Sequence, residues 1–63
     1  MSKIFDNIKT TARKKGIAVS TLEKEAGIAN GSVYKWNNVS PSVESLNKVA
    51  KVLDVPLESL LKE

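Results

Sequence analysis

Residues 19–38 read VSTLEKEAGIANGSVYKWNN, and the fold turns on how this stretch breaks. Leu22 and Ala26 stand four apart, the spacing of one helical face, and Gly27 follows as a helix stop. Ser20-Thr21-Leu22-Glu23 reads as a capping box, serine oxygen and glutamate each satisfying a backbone donor of the other. After Gly27-Ile28-Ala29 a new helix begins near Asn30 and carries Val33 and Trp36 three apart. Asn37-Asn38-Val39-Ser40-Pro41 breaks it. A glycine-containing connection this short rules out antiparallel packing, so the two helices cross steeply, at about 90–120°. Leu22, Ala26, Ile28, Val33 and Trp36 then point into the crossing. Asn30, Gly31, Ser32, Tyr34, Lys35 and Asn38 are left facing outward.

Outward from this pair, the rest of the chain is also short helices between polar breaks. Ile4, Phe5, Ile8 and Ala12 make one apolar stripe, which Ser2 can cap and Arg13-Lys14-Lys15-Gly16 closes. Ser42 caps a later helix, Glu44 sits in its first turn, and Val43, Leu46, Val49, Ala50 and Leu53 form its buried stripe. Pro56 suits the first position of a last helix bearing Leu57, Leu60 and Leu61. Nothing alternates with period two for long enough to be a strand. All of these helices are near or below the ~12–15 residues at which an isolated helix is marginal, so they must share one core. Its expected members are Phe5, Ile8, Ile17, Leu22, Ala26, Ile28, Val33, Trp36, Leu46, Val49, Ala50, Leu53, Leu57 and Leu60. The fold class is all-α: one domain over 1–63, about five short helices, with the crossing pair at about 19–38.

Composition narrows the function. With no histidine and no cysteine, the chain lacks the usual general base, the commonest zinc ligands and any disulfide. It has no glycine-rich phosphate loop, and Glu23 and Glu25, two apart on a helix, point to different sides. The expectation is no enzyme, no cofactor, no metal and no evident small-molecule ligand. No apolar run reaches the ~20 residues of a membrane span, and MSKIFDNIK lacks the apolar centre of a signal peptide, so a cytoplasmic location is expected. The net charge of +3 is unevenly spread. Residues 1–15 hold five basic side chains against one acid, residues 16–43 two against two, and residues 44–63 three against four. A basic N-terminal third suits attraction to phosphate; it equally suits a charged helix face that keeps a small domain in solution.

The outward face of the third helix is polar, with small residues at its start. Such a helix fits a groove about 12 Å wide, the major groove of duplex DNA, and the pair is then a helix-turn-helix. On these residues the chain resembles the phage-repressor and Cro-like regulators from Phe5 to Leu61. Gly16 and Gly27 are eleven apart, as are the glycine ending helix one and the turn glycine of that family. The segments GIAVSTLEKEAGI, NGSVYKW, SPSVESLNKVAKVLDV and LESLL are similar to those of Gram-positive phage repressors. The resemblance implies a five-helix, lambda-repressor-like domain that binds double-stranded DNA sequence-specifically, as a homodimer on a palindromic operator.

It also implies residue roles. Ala29, Asn30, Gly31, Tyr34 and Lys35 take the base-reading positions; Ser20, Thr21, Ser32, Asn38 and Ser40 take phosphate-contacting ones. Chemically, Lys35 can donate to guanine, Asn30 can pair with adenine N6 and N7, and Ala29 and the Tyr34 ring can meet thymine methyls. Other uses stay open: Asn30 as the N-cap of helix three, Tyr34 as an aromatic packed on a neighbouring helix, Asn37 and Asn38 as turn formers, and Trp36 as core. Three departures from the family stand out. Val19 occupies the usual glutamine position, Glu23 that of a small residue, and Ala12 that of a frequent arginine. The rival function is a small all-α docking or dimerisation module, which would expose an apolar stripe on helix three. This chain exposes asparagine, serine, tyrosine and lysine there. Whether 63 residues make a Cro-sized regulator or the N-terminal domain of a longer repressor is left open.

Overall fold

The computed structural model describes residues 3–62, which form five α-helices and no strand. These are α1 (Ile4–Lys14), α2 (Val19–Ala26), α3 (Ser32–Lys35), α4 (Val43–Leu53) and α5 (Leu57–Leu61). Each contributes to one core: Ile8 and Ala12, Leu22 and Ala26, Val33 with Trp36 just after α3, Leu46, Val49, Ala50 and Leu53, and Leu60. Burying a large apolar side chain is worth about 1.5–3 kcal/mol, and no helix this short could bury its stripe without the others. α2 packs chiefly on α4, and α1 chiefly on α5. Phe5, Ile17, Ile28 and Leu57, expected in the core, are half-buried and packed against it. Val43 departs from its expected place and is 68% exposed. It is the first residue of α4, where the apolar stripe continues past the last neighbouring helix.

The N-terminal ends follow local chemistry in part. Ser42 caps α4, its Oγ accepting from the Ser45 N–H at 3.1 Å. The capping box expected at Ser20–Glu23 is absent: α2 starts from Ala18 with no side-chain cap, and Glu23 is turned elsewhere. Pro56 stands at the N-cap position of α5, one residue earlier than expected. The Ser2 cap of α1 lies outside the described residues; Lys3 at the cap position makes no side-chain cap bond.

The C-terminal ends of α1, α2 and α4 share one device. A residue in the left-handed region ends each helix: Gly16 (φ 71°), Gly27 (φ 73°) and Asp54 (φ 57°). The next N–H then reaches back five residues, Ile17 to Ala12 at 2.8 Å, Ile28 to Glu23 at 3.0 Å, and Val55 to Ala50 at 3.1 Å. Each of those following residues is apolar and lies against the core, as this stop requires. The end of α5 is held differently. Asn7 of α1 donates through Nδ2 to the carbonyls of Leu60 (3.0 Å) and Lys62 (2.6 Å), clasping the last helix to the first.

A Cβ added at Gly27 meets nothing within 4 Å, so its substitution isolates the backbone term. Gly27→Ala should cost about 1–2 kcal/mol, the left-handed penalty of an L-residue. Thermal unfolding should show a midpoint lower by about 4–8 °C per kcal/mol, and Gly27→Asn should lose less.

Candidate nucleic-acid interface

α3 is four residues long, a single turn, and has no intrahelical partners for its first N–H groups. Glu23 of α2 supplies them. Its side chain is 1% exposed, and its two oxygens divide the task. Oε1 accepts from the Gly31 N–H at 2.9 Å and Oε2 from the Val33 N–H at 3.0 Å. A buried carboxylate is costly unless its lone pairs are met, and here backbone donors meet them. α3 is thereby fixed to the middle of α2 rather than to its end. Gly31 has φ 89°, a backbone conformation that turns its N–H inward toward Glu23 and that glycine adopts without strain.

The cap position of α3 is thus Gly31, not Asn30, and the helix starts at Ser32. Asn30 is exposed, and its side chain has no hydrogen bond to any described residue. The same holds for Ser20, Thr21, Lys35, Asn38 and Ser40. Ala29 is exposed as well, while Gly31 and Ser32 are half-buried at the turn. Trp36 is core, 7% exposed, directly behind this surface. Asn37 and Asn38 donate their backbone N–H groups to Tyr34 and Lys35, extending a turn beyond α3. Tyr34 does two things at once: it is 57% exposed, and its ring lies against Phe5 of α1, centroids 5.5 Å apart at 52°.

Two cations on this side escaped the sequence reading. A shallow depression between α2 and the turn is lined by Ser20, Glu23, Lys24, Ile28 and Asn30. It puts Lys24 beside two expected contact residues from separate elements. Lys9 holds its Nζ 5.0 Å over the ring of Phe5, the residue whose ring meets Tyr34. Periodicity could have flagged Glu23 itself, which is four from Val19 and three from Ala26, on the inward side of α2. An acid on that arc signals a buried donor.

A one-turn helix tied through a short turn to the middle of a second, with its outer face uncommitted, is a helix-turn-helix. The family model of the Cro/C1-type HTH DNA-binding domain matches residues 7–62, and the chain belongs to that family. It is 36% identical to the HTH-type transcriptional regulators SinR of Bacillus licheniformis and of Bacillus subtilis strain 168. Each alignment takes in 95% of this chain and 57% of the relative, so the chain spans little more than half their length. The N-terminal DNA binding domain of SinR from Bacillus subtilis superposes with a TM-score of 0.87 at 34% identity, over 97% of this chain and 93% of that one. The all-helical class, the five helices and the DNA-binding character expected from sequence therefore hold.

Glu23→Gln keeps the shape but replaces one accepting oxygen by an NH₂ group, orphaning Gly31 or Val33. Stability should fall by about 1–3 kcal/mol in chemical denaturation, and whichever of the Gly31 and Val33 amides faces the NH₂ group should lose hydrogen-exchange protection.

Proposed function

We propose that this chain is the operator-reading domain of a repressor- or Cro-like transcription regulator acting in the cytoplasm. α3 enters the major groove and α2 lies across the backbone. The observation that carries this is the outward face around α3, where polar side chains free of internal bonds surround a helix fixed from beneath by Glu23. Ala29, Asn30, Gly31, Tyr34 and Lys35 face base edges. Asn30, released from capping, pairs with adenine, and Lys35 donates to guanine. Ser20, Thr21, Ser32, Asn38 and Ser40 position the domain on phosphates, and Lys24 joins them from the depression shared with Ser20 and Asn30. α3 carries one cation, so a single copy binds weakly and two copies act together on a palindrome, with half-sites about 34–36 Å apart. Val39 on the α3–α4 connection and Val43 at the start of α4, 62% and 68% exposed, supply an apolar contact between the copies.

Selection from a random duplex pool tests the reading. It should enrich a palindrome, and Lys35→Ala should relax one position per half-site, at a cost of about 1–3 kcal/mol. Uniform weakening on all sequences would make Lys35 a phosphate contact, and no enrichment even at low salt would overturn specific binding. The paired copies have a separate test in Val43→Asp, which sits in a first turn where an anion is favoured and so spares the helix. Band-shift titrations should then show half-site binding retained and cooperative binding to the full palindrome reduced.

A further inference from the structure

The surface around α3 includes a contact that its own helix cannot supply. Tyr34 projects from a single turn and is more than half exposed, so nothing within α3 fixes its ring. The one ring beside it is Phe5, from the first turn of α1, 5.5 Å away and tilted by 52°. That separation and angle belong to the favourable tilted pairing of aromatic rings. Phe5 is itself held from two directions. Part of it packs against the core, and the Lys9 ammonium stands 5.0 Å over its ring, within the range of a cation–π contact. Lys9 lies one turn along α1 from Phe5, so backbone already fixed by the burial of Ile8 and Ala12 sets this arrangement.

We propose that Phe5 is a positioning residue for base recognition, holding the Tyr34 ring in the orientation it presents to the groove. α1 then shares in sequence discrimination without touching a base. The inference rests on the reading of Tyr34 as a base-facing residue. Its physical content is preorganisation: a side chain already confined before binding loses less rotamer freedom on contact, and discriminates more sharply because it cannot swing aside to accept a wrong base. Tyr34 alone among the proposed base-facing residues has an aromatic side-chain contact. Replacing the Phe5 ring by an aliphatic side chain keeps the apolar packing and removes the ring pairing, so the two contributions can be separated.

The experiment compares the parent chain with Phe5→Leu, Phe5→Tyr and Tyr34→Ala on the selected duplex and on duplexes changed one base pair at a time. Circular dichroism monitors folding, and Phe5→Met replaces the leucine variant should that one unfold. Tyr34→Ala should lower discrimination at one base pair of the half-site. Phe5→Leu should lower it at the same base pair by about two- to tenfold, the range of an aromatic pair. Discrimination elsewhere and the salt dependence of binding should stay unchanged, and Phe5→Tyr should restore the lost preference. The Tyr34 ring resonances of the free protein should move in Phe5→Leu and stay near their parent positions in Phe5→Tyr. If Tyr34→Ala is position-specific while Phe5→Leu weakens all duplexes equally, or none, Phe5 serves stability alone and the inference is overturned, with the operator-reading proposal intact. If Tyr34→Ala changes discrimination nowhere, the inference falls together with the role given to Tyr34, and Lys35→Ala separately decides whether α3 reads bases.

Discussion

Two hydrogen bonds from one buried carboxylate set the geometry on which the rest of this domain depends. A four-residue helix cannot stand by itself, and the N–H groups of Gly31 and Val33 at its start turn inward, where they need an acceptor. Glu23 answers both problems from α2, with one oxygen for Gly31 and one for Val33. The cost of burying the charge is offset by bonds to donors that would otherwise be orphaned. Because the carboxylate comes from the middle of a neighbouring helix, it fixes how α3 sits on α2. A terminal cap from within the turn would satisfy the donors and leave that angle looser. It also spares Asn30, whose side chain stays at the surface. The recognition face and the buried bond are thus two sides of one arrangement.

Much of the fold was legible because short helices announce their ends. Gly16-Ile17 and Gly27-Ile28 pair a left-handed residue with an apolar one, and both stops fall where the sequence places them. Ser42 caps α4 for the same local reason. Asp54-Val55 uses the identical stop and was harder to read, since aspartate adopts positive φ far less often than glycine does. Val43 was misread because periodicity says which face a residue is on and not whether a neighbour reaches that far along the helix. At the site the sequence led astray at Glu23, where four residues matched a local capping pattern while donors eight and ten residues away took the carboxylate. The pairing of Phe5 with Tyr34 joins helices at opposite sides of the turn and leaves no trace in spacing. The helices and most of the shared core could be read; the particular partners of Glu23 and Tyr34 could not.

Charge and shape divide their labour unevenly here. The basic excess belongs to residues 1–15, whereas α3 offers only Lys35. Folding narrows this separation, since Lys9 comes to rest over Phe5, the ring partner of Tyr34, and Lys24 joins Ser20 and Asn30 at one depression. A face assembled in this way has modest electrostatic attraction for a polyanion, and what it offers beyond charge is amides, hydroxyls and one aromatic ring.

The clasp from Asn7 to the carbonyls of Leu60 and Lys62 joins residues 53 and 55 apart in the chain. Closing so long a loop carries a larger entropic penalty than the Glu23 bonds do, which close loops of eight and ten. The two kinds of tie therefore differ in when they form. The α2–α3 unit can assemble early and reassemble quickly from its own neighbours. The seam between α1 and α5 has to wait for everything between them.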